Sequence, residues 1–161
     1  MWAGIALKKI LIAGEAGQTT NYENALAAMQ VHFVTSLQVK DVDEYDGLLL
    51  PGGGDVDPKL FGQLLIPETE IRQYSRWEQQ LIRKGQEKLT PELDRIQLAI
   101  LKAFCQYRKP VFGICKGMQL INIAFGGDML RHLPTAVHHA YREKDQMHPA
   151  RNEVNSFLYE V

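Results

Sequence analysis

The sequence is poor in the features that most readily assign a protein. Of its 161 residues only two are cysteines, Cys105 and Cys115. Two cysteines build no disulfide framework, and their spacing is not that of a metal-binding pair. A reducing, cytoplasmic setting is the expectation that follows. Charge of one sign is also missing, since 18 Lys and Arg stand against 19 Asp and Glu for a formal net charge of −1. A nucleic-acid partner is therefore not expected, for want of a basic footprint. No apolar run approaches the roughly 18–20 residues that cross a bilayer, so no membrane partner is expected. The short apolar start places Lys8 and Lys9 after its apolar residues, the reverse of a secretory signal. Internal repeats and low-complexity segments are absent.

What is present is an ordinary globular composition, 45% hydrophobic and 23% charged. The length suits one domain with a sizeable core, expected to span 1–161. Apolar runs alternate with helix-like patterns, the mark of α/β organisation. Ile10 to Ala13 reads as a buried strand. Asn21 to Met29 reads as a helix, with Asn21 as N-cap and Ala25, Leu26 and Met29 inward. Val31 to Thr35 is a second strand, and Asp46 to Leu50 a third that runs straight into Pro51-Gly52-Gly53-Gly54. Residues 67–88 are highly charged and suit an exposed helix or a flap. Thr90 and Pro91 then start a helix as N-cap and first helical residue. Leu93, Ile96, Ile100, Leu101 and Phe104 fall on one face of it, and it ends near Tyr107, ahead of Pro110.

Val111 to Ile114 reads as a short buried strand leading into Cys115-Lys116-Gly117 and a helix from about Met118 to Phe125. Gly126-Gly127 stops that helix. Gly113-Ile-Cys-Lys-Gly117 is thus a G-x-C-x-G pattern between strand and helix, the cysteine counterpart of a nucleophile elbow. The flanking glycines relieve collisions on a strained turn that lifts the sulfur above the sheet edge. The N–H groups opening the helix point at that sulfur and favour thiolate, the attacking species. The N–H of Lys116 is placed to receive an oxyanion. Gly52 or Gly53 supplies a second donor if their strand neighbours that of Cys115. Cys105, inside a helix with no glycine context, reads as a core residue. Asp55 and Asp57 read first as turn residues bonding their own backbone.

The two glycine segments together resemble the class I glutamine amidotransferase-like superfamily, most closely its gamma-glutamyl-gamma-aminobutyrate hydrolase (peptidase C26) family. Leu50-Pro-Gly-Gly-Gly-Asp-Val-Asp-Pro58 resembles the family's oxyanion loop, and Lys109 to Gly127 its elbow. Asn21-Tyr22 and the Ala-rich residues after it resemble its first helix. Pro91 to Asp94 resembles the approach to a helix that commonly carries Arg-Asp and then Glu; Asp94 fits, while Leu93 and Gln97 replace the other two.

The resemblance implies a flavodoxin-like α/β fold: an open, mainly parallel sheet with helices on both faces. It implies hydrolysis of a small gamma-glutamyl amide through a thioester on Cys115. Lys116 and Gly52 or Gly53 would hold the oxyanion. Beside the glycine loop, Asp55 and Asp57 have a second reading as contacts for the amino group of a glutamyl substrate, and Gln119 is a further substrate-binding candidate. No metal or organic cofactor is implied. The family's His-Pro-Glu motif is missing, because no His-x-Glu occurs and His148-Pro149 is followed by Ala150. His132, His138, His139 and His148 read as surface-loop residues. The segment from Met147 to Val161 resembles the strand before that motif. The expectation is a chain lacking the family's C-terminal part, with an incomplete sheet that associates with itself or with a completing chain. Two other readings stay open: a glutaminase domain feeding ammonia to a synthetase, and a non-catalytic fragment or binding module.

Overall fold

The computed structural model describes residues 8–133 and, beyond them, 135, 149, 151 and 153–155. The chain falls into two compact units, Met1–Arg131 and His132–Val161. The first holds every regular element among the described residues. The C-terminal strand or helix expected over 152–161, and His138, His139 and His148, lie outside the described residues.

Four short strands, β1 (Lys9–Ile12), β2 (His32–Thr35), β3 (Gly47–Leu50) and β4 (Val111–Gly113), form one sheet in the order β2-β1-β3-β4. All three pairings are parallel. This is the strand order of a flavodoxin-like open α/β sheet, with its reversal between β1 and β3. Parallel neighbours need crossovers, and those between neighbouring strands are helical: α1 (Thr20–Ala28) joins β1 to β2, and α4 (Pro91–Gln106) precedes β4. Right-handed crossovers running opposite ways from the switch point place α1 on one face and α4 on the other. The last helix, α5 (Lys116–Ala124), packs against α4, β3 and β4.

The core lies between the sheet and α4 with α5. Leu11, Leu48 and Leu50 meet Leu98, Leu101, Phe104 and Leu120, all buried. β3 is buried along its whole length, which explains its unbroken Leu run. The segment 67–88, read as an exposed helix or flap, forms two helices, α2 (Glu68–Ile71) and α3 (Arg76–Glu87). They enclose a small core of their own, Ile66, Ile71 and Ile82. A Ser75–Glu78 capping box fixes the start of α3.

Four local expectations are corrected. Asn21 is not the N-cap of α1: the helix begins at Thr20, and Asn21 is exposed within its first turn. Ala25 and Met29 are exposed because α1 packs chiefly on the edge strand β2. β4 is not fully buried, since it is an edge strand among the described residues and Phe112 is 63% exposed. Thr90 holds the N-cap position of α4 without a capping bond, its hydroxyl being engaged elsewhere. The end of α5 follows the sequence closely: Gly126 has φ of 83°, and the N–H groups of Gly126 and Gly127 donate to Ile123 and Asn122. That is a Schellman motif.

Candidate active site

The site is built where two neighbouring parallel strands end. Leu50 and Gly113 are in register, and the N–H of Ile114 donates to the Leu50 carbonyl at 3.0 Å. The chain then turns at Cys115, whose φ of 52° and ψ of −105° are unusual for a residue with a side chain. Cys115 is exposed and occupies the N-cap position of α5. The helix entry is held by Gly117 N–H donating to Ile114 O at 2.9 Å and Gln119 N–H donating to Cys115 O at 3.2 Å.

The two elbow glycines are required by close packing. A Cβ on Gly113 would stand 2.6 Å from Gly117 C. A Cβ on Gly117 would stand 2.7 Å from Leu50 Cβ and nearer still to Leu50 O. Neither position can hold a larger residue unless α5 moves off the sheet. Cys105, by contrast, sits partly buried in α4 against the core.

The glycine loop after β3 faces the elbow. A Cβ on Gly52 would lie 3.5 Å from Cys115 Cβ, and one on Gly53 would lie 3.1 Å from Lys116 Cδ. As the first residue of α5, Lys116 has an N–H that no carbonyl of that helix can accept. The N–H of Gly52 is already engaged, donating to Tyr22 Oη at 2.9 Å. Tyr22, at the start of α1, is a neighbour of the site that sequence reasoning placed only in a family-like helix.

Asp57 behaves as a turn residue: its Oδ1 accepts from the N–H of Lys59 at 3.1 Å. The Asp55 carboxylate lies against α3, where a Cβ on Gly85 would meet Oδ2 at 2.7 Å. Gln119 lies in the first turns of α5 and is partly buried.

Behind the elbow lies a buried polar cluster. The Lys116 side chain, 2% exposed, forms an ion pair with Asp94, 0% exposed. Lys116 Nζ also donates to Thr90 Oγ1 at 3.1 Å. The second Asp94 oxygen accepts from the backbone N–H of Asp57 at 2.8 Å. One turn on, the buried Gln97 donates through Nε2 to the carbonyl of Ala13 at 2.7 Å. From the sequence only the backbone of Lys116 belongs to the site. The available signal was Asp94 and Gln97 on the same helical stripe as Leu101 and Phe104, polar residues where burial is expected.

At the end of β2, the carboxylate of Glu23 accepts from Thr19 Oγ1 at 2.6 Å and Thr35 Oγ1 at 2.7 Å. Those two hydroxyls, Thr19 foremost, hold its pKa below the ordinary 4.5. Among the described residues no group of three or more His, Cys, Asp and Glu is placed to hold a metal ion. Among them, too, no helix is long and apolar enough to cross a membrane. Of the two described histidines, His32 pairs with Lys9 at the start of the far edge strand. It is separated from β4 by β1 and β3, about 14 Å across the sheet. His132 belongs to the second unit.

Comparison with known proteins matches the chain to the peptidase C26 profile over residues 28–161. A glutamine amidotransferase-like protein, the YvdE homolog of Lactococcus lactis subsp. cremoris, is 31% identical over 135 residues, covering 72% of this chain and 63% of that one. A glutamine amidotransferase-like protein of Rickettsia prowazekii is 30% identical over 95 residues, 58% of this chain and 28% of its own. The gamma-glutamyl-gamma-aminobutyrate hydrolase of Escherichia coli O157:H7 is 30% identical over 100 residues, 61% of this chain and 32% of its own. The chain thus spans less than two thirds of the length of each of these relatives.

Proposed function

The chain belongs to the peptidase C26 family, and on that premise we propose that it is a cysteine-dependent hydrolase of gamma-glutamyl amides with Cys115 as its nucleophile. The observation that carries the reading is the elbow: an exposed sulfur on a strained strand-to-helix turn, backed by a glycine loop from the neighbouring strand. Cys115 attacks the amide carbonyl carbon. The developing oxyanion is held by the N–H of Lys116 and by a donor from the Gly52-Gly53 loop. Gly52 serves once a substrate oxygen replaces Tyr22 Oη. Collapse expels the amine, and water then releases glutamate from the thioester. Asp55 and Gln119 stay as candidates for holding the glutamyl group.

The leaving amine needs a proton, and such help is commonly worth about 10²–10⁴-fold. We place the imidazole outside residues 8–131, because the one histidine there, His32, lies across the sheet. Association with a second copy or a completing chain is part of the same reading. It is supported by the exposed Phe112 on β4. A monodisperse monomer by light scattering would count against it. Two free cysteines suit a reducing, cytoplasmic setting. The amidotransferase-like names of the Lactococcus and Rickettsia relatives favour a second reading, glutamine as substrate with ammonia passed to a partner.

The test is amine release from a chromogenic gamma-glutamyl anilide and ammonia release from glutamine, each with the wild type and with Cys115→Ser. The first reading expects anilide turnover that vanishes in the variant. Turnover that survives Cys115→Ser would overturn it, and ammonia release alone would favour the second reading.

A further inference from the structure

We propose that Asp94 is a positioning residue that locks the glycine loop to the nucleophile elbow through a buried charge pair. For its meaning in catalysis the proposal rests on the amidase reading above.

The geometry is a clamp with one carboxylate at its centre. Lys116 immediately follows the nucleophile, yet its side chain runs away from solvent, passes Gly53, and ends on Asp94 Oδ1 and Thr90 Oγ1. The other oxygen, Asp94 Oδ2, takes the backbone N–H of Asp57, just beyond the glycine loop. A single buried group of α4 therefore ties the elbow by its first helical residue and the loop by its distal end. Asp57 passes the constraint on, since its own carboxylate fixes the next turn at Lys59.

The loop needs such a clamp. Gly52, Gly53 and Gly54 carry no side chains to anchor them, and glycine has the largest backbone freedom to lose. Oxyanion donors act only when held within about 0.5 Å of their working position. A lysine and an aspartate removed from water this completely are tolerated when paired and hydrogen-bonded. Both conditions hold here, with Thr90 and the Asp57 N–H completing the set. The pair is neutral as a unit, so it fixes geometry without setting a net charge behind the sulfur.

The test uses Asp94→Asn, the double variant Asp94→Leu/Lys116→Met, and Lys116→Arg. The double variant removes both charges and so leaves no stranded ion if Asp94→Asn folds poorly. Amide hydrogen exchange is read at the Asp57 N–H and across residues 52–56, with β1 and β3 as reference. Cys115 alkylation is read with two reagents, iodoacetamide and a gamma-glutamyl diazoketone. The clamp predicts loop exchange about tenfold faster in Asp94→Asn and in the double variant, with the strands unchanged. It predicts a diazoketone reaction about tenfold or more slower, with iodoacetamide altered less than about twofold. Lys116→Arg keeps the charge pair with Asp94 and should slow the diazoketone reaction less than Asp94→Asn does. Unchanged loop exchange, or acceleration spread equally through β1 and β3, would overturn the proposal. So would equal slowing of both reagents. A wild type inert to the diazoketone would refute the amidase reading alone, and the exchange pattern would then decide the clamp by itself.

Discussion

Replacing Gly117 by alanine tests the packing that creates the elbow. The new Cβ would stand 2.7 Å from Leu50 Cβ and 2.8 Å from Leu50 C. Leu50 cannot yield easily, because it is fully buried in β3 and its carbonyl receives the Ile114 N–H. Helix α5 must move off the sheet instead, loosening contacts around the buried Leu120. Overpacking of this kind costs about 1–3 kcal/mol. Alanine's better helix propensity returns up to about 1 kcal/mol. Contacts this short to buried backbone put the cost at the upper end of the overpacking range, so the net loss is about 2 kcal/mol, which lowers Tm by about 4–8 °C in a domain of this size. Gly62→Ala is the control, since Gly62 has φ of 75° but nothing within 4 Å of a new Cβ. It carries backbone strain of only about 1 kcal/mol. Thermal melts of both variants beside the wild type decide the matter. A Gly117→Ala protein melting at or above Gly62→Ala would refute the close approach of α5 to β3.

Two further predictions concern charge. Lys116→Met alone strands Asp94 in the interior and should cost about 3–5 kcal/mol by urea unfolding, most of it recovered when Asp94→Leu is added. Glu23 has its pKa depressed in the folded chain, so it contributes stability above its ordinary 4.5, lost as pH falls through the lowered folded value. Thr35→Val should raise the Glu23 pKa measured by carbon NMR and shift that loss to higher pH. An unmoved titration would show that the Thr35 hydroxyl is not a donor to it.

The frame of the molecule is legible in the residues. The runs Ile10–Ala13 and Asp46–Leu50 announce parallel strands because a strand covered on both faces is apolar throughout. Gly113 and Gly117 announce the elbow because only glycine fits beneath a helix pressed on a strand. Less legible was whatever depends on contacts distant in sequence. Thr90 reads as a cap, but its hydroxyl is taken by Lys116, 26 residues on. Met29 and Phe112 read as buried because their local patterns are apolar, and they are exposed because the elements carrying them lie at the edges of the sheet that the described residues form. Lys116 reads only as the donor of a useful N–H, and the burial of its side chain follows from Asp94 standing opposite. Tyr22 reaches Gly52 across 30 positions, a contact no local pattern encodes.

The most direct measurement is peptide mapping by mass spectrometry after exposure to the gamma-glutamyl diazoketone, with Cys105 as internal control. The account predicts stoichiometric modification at Cys115, suppressed by excess gamma-glutamyl amide, with Cys105 untouched. Equal, slow modification of both thiols, or labelling indifferent to the competing amide, would contradict it.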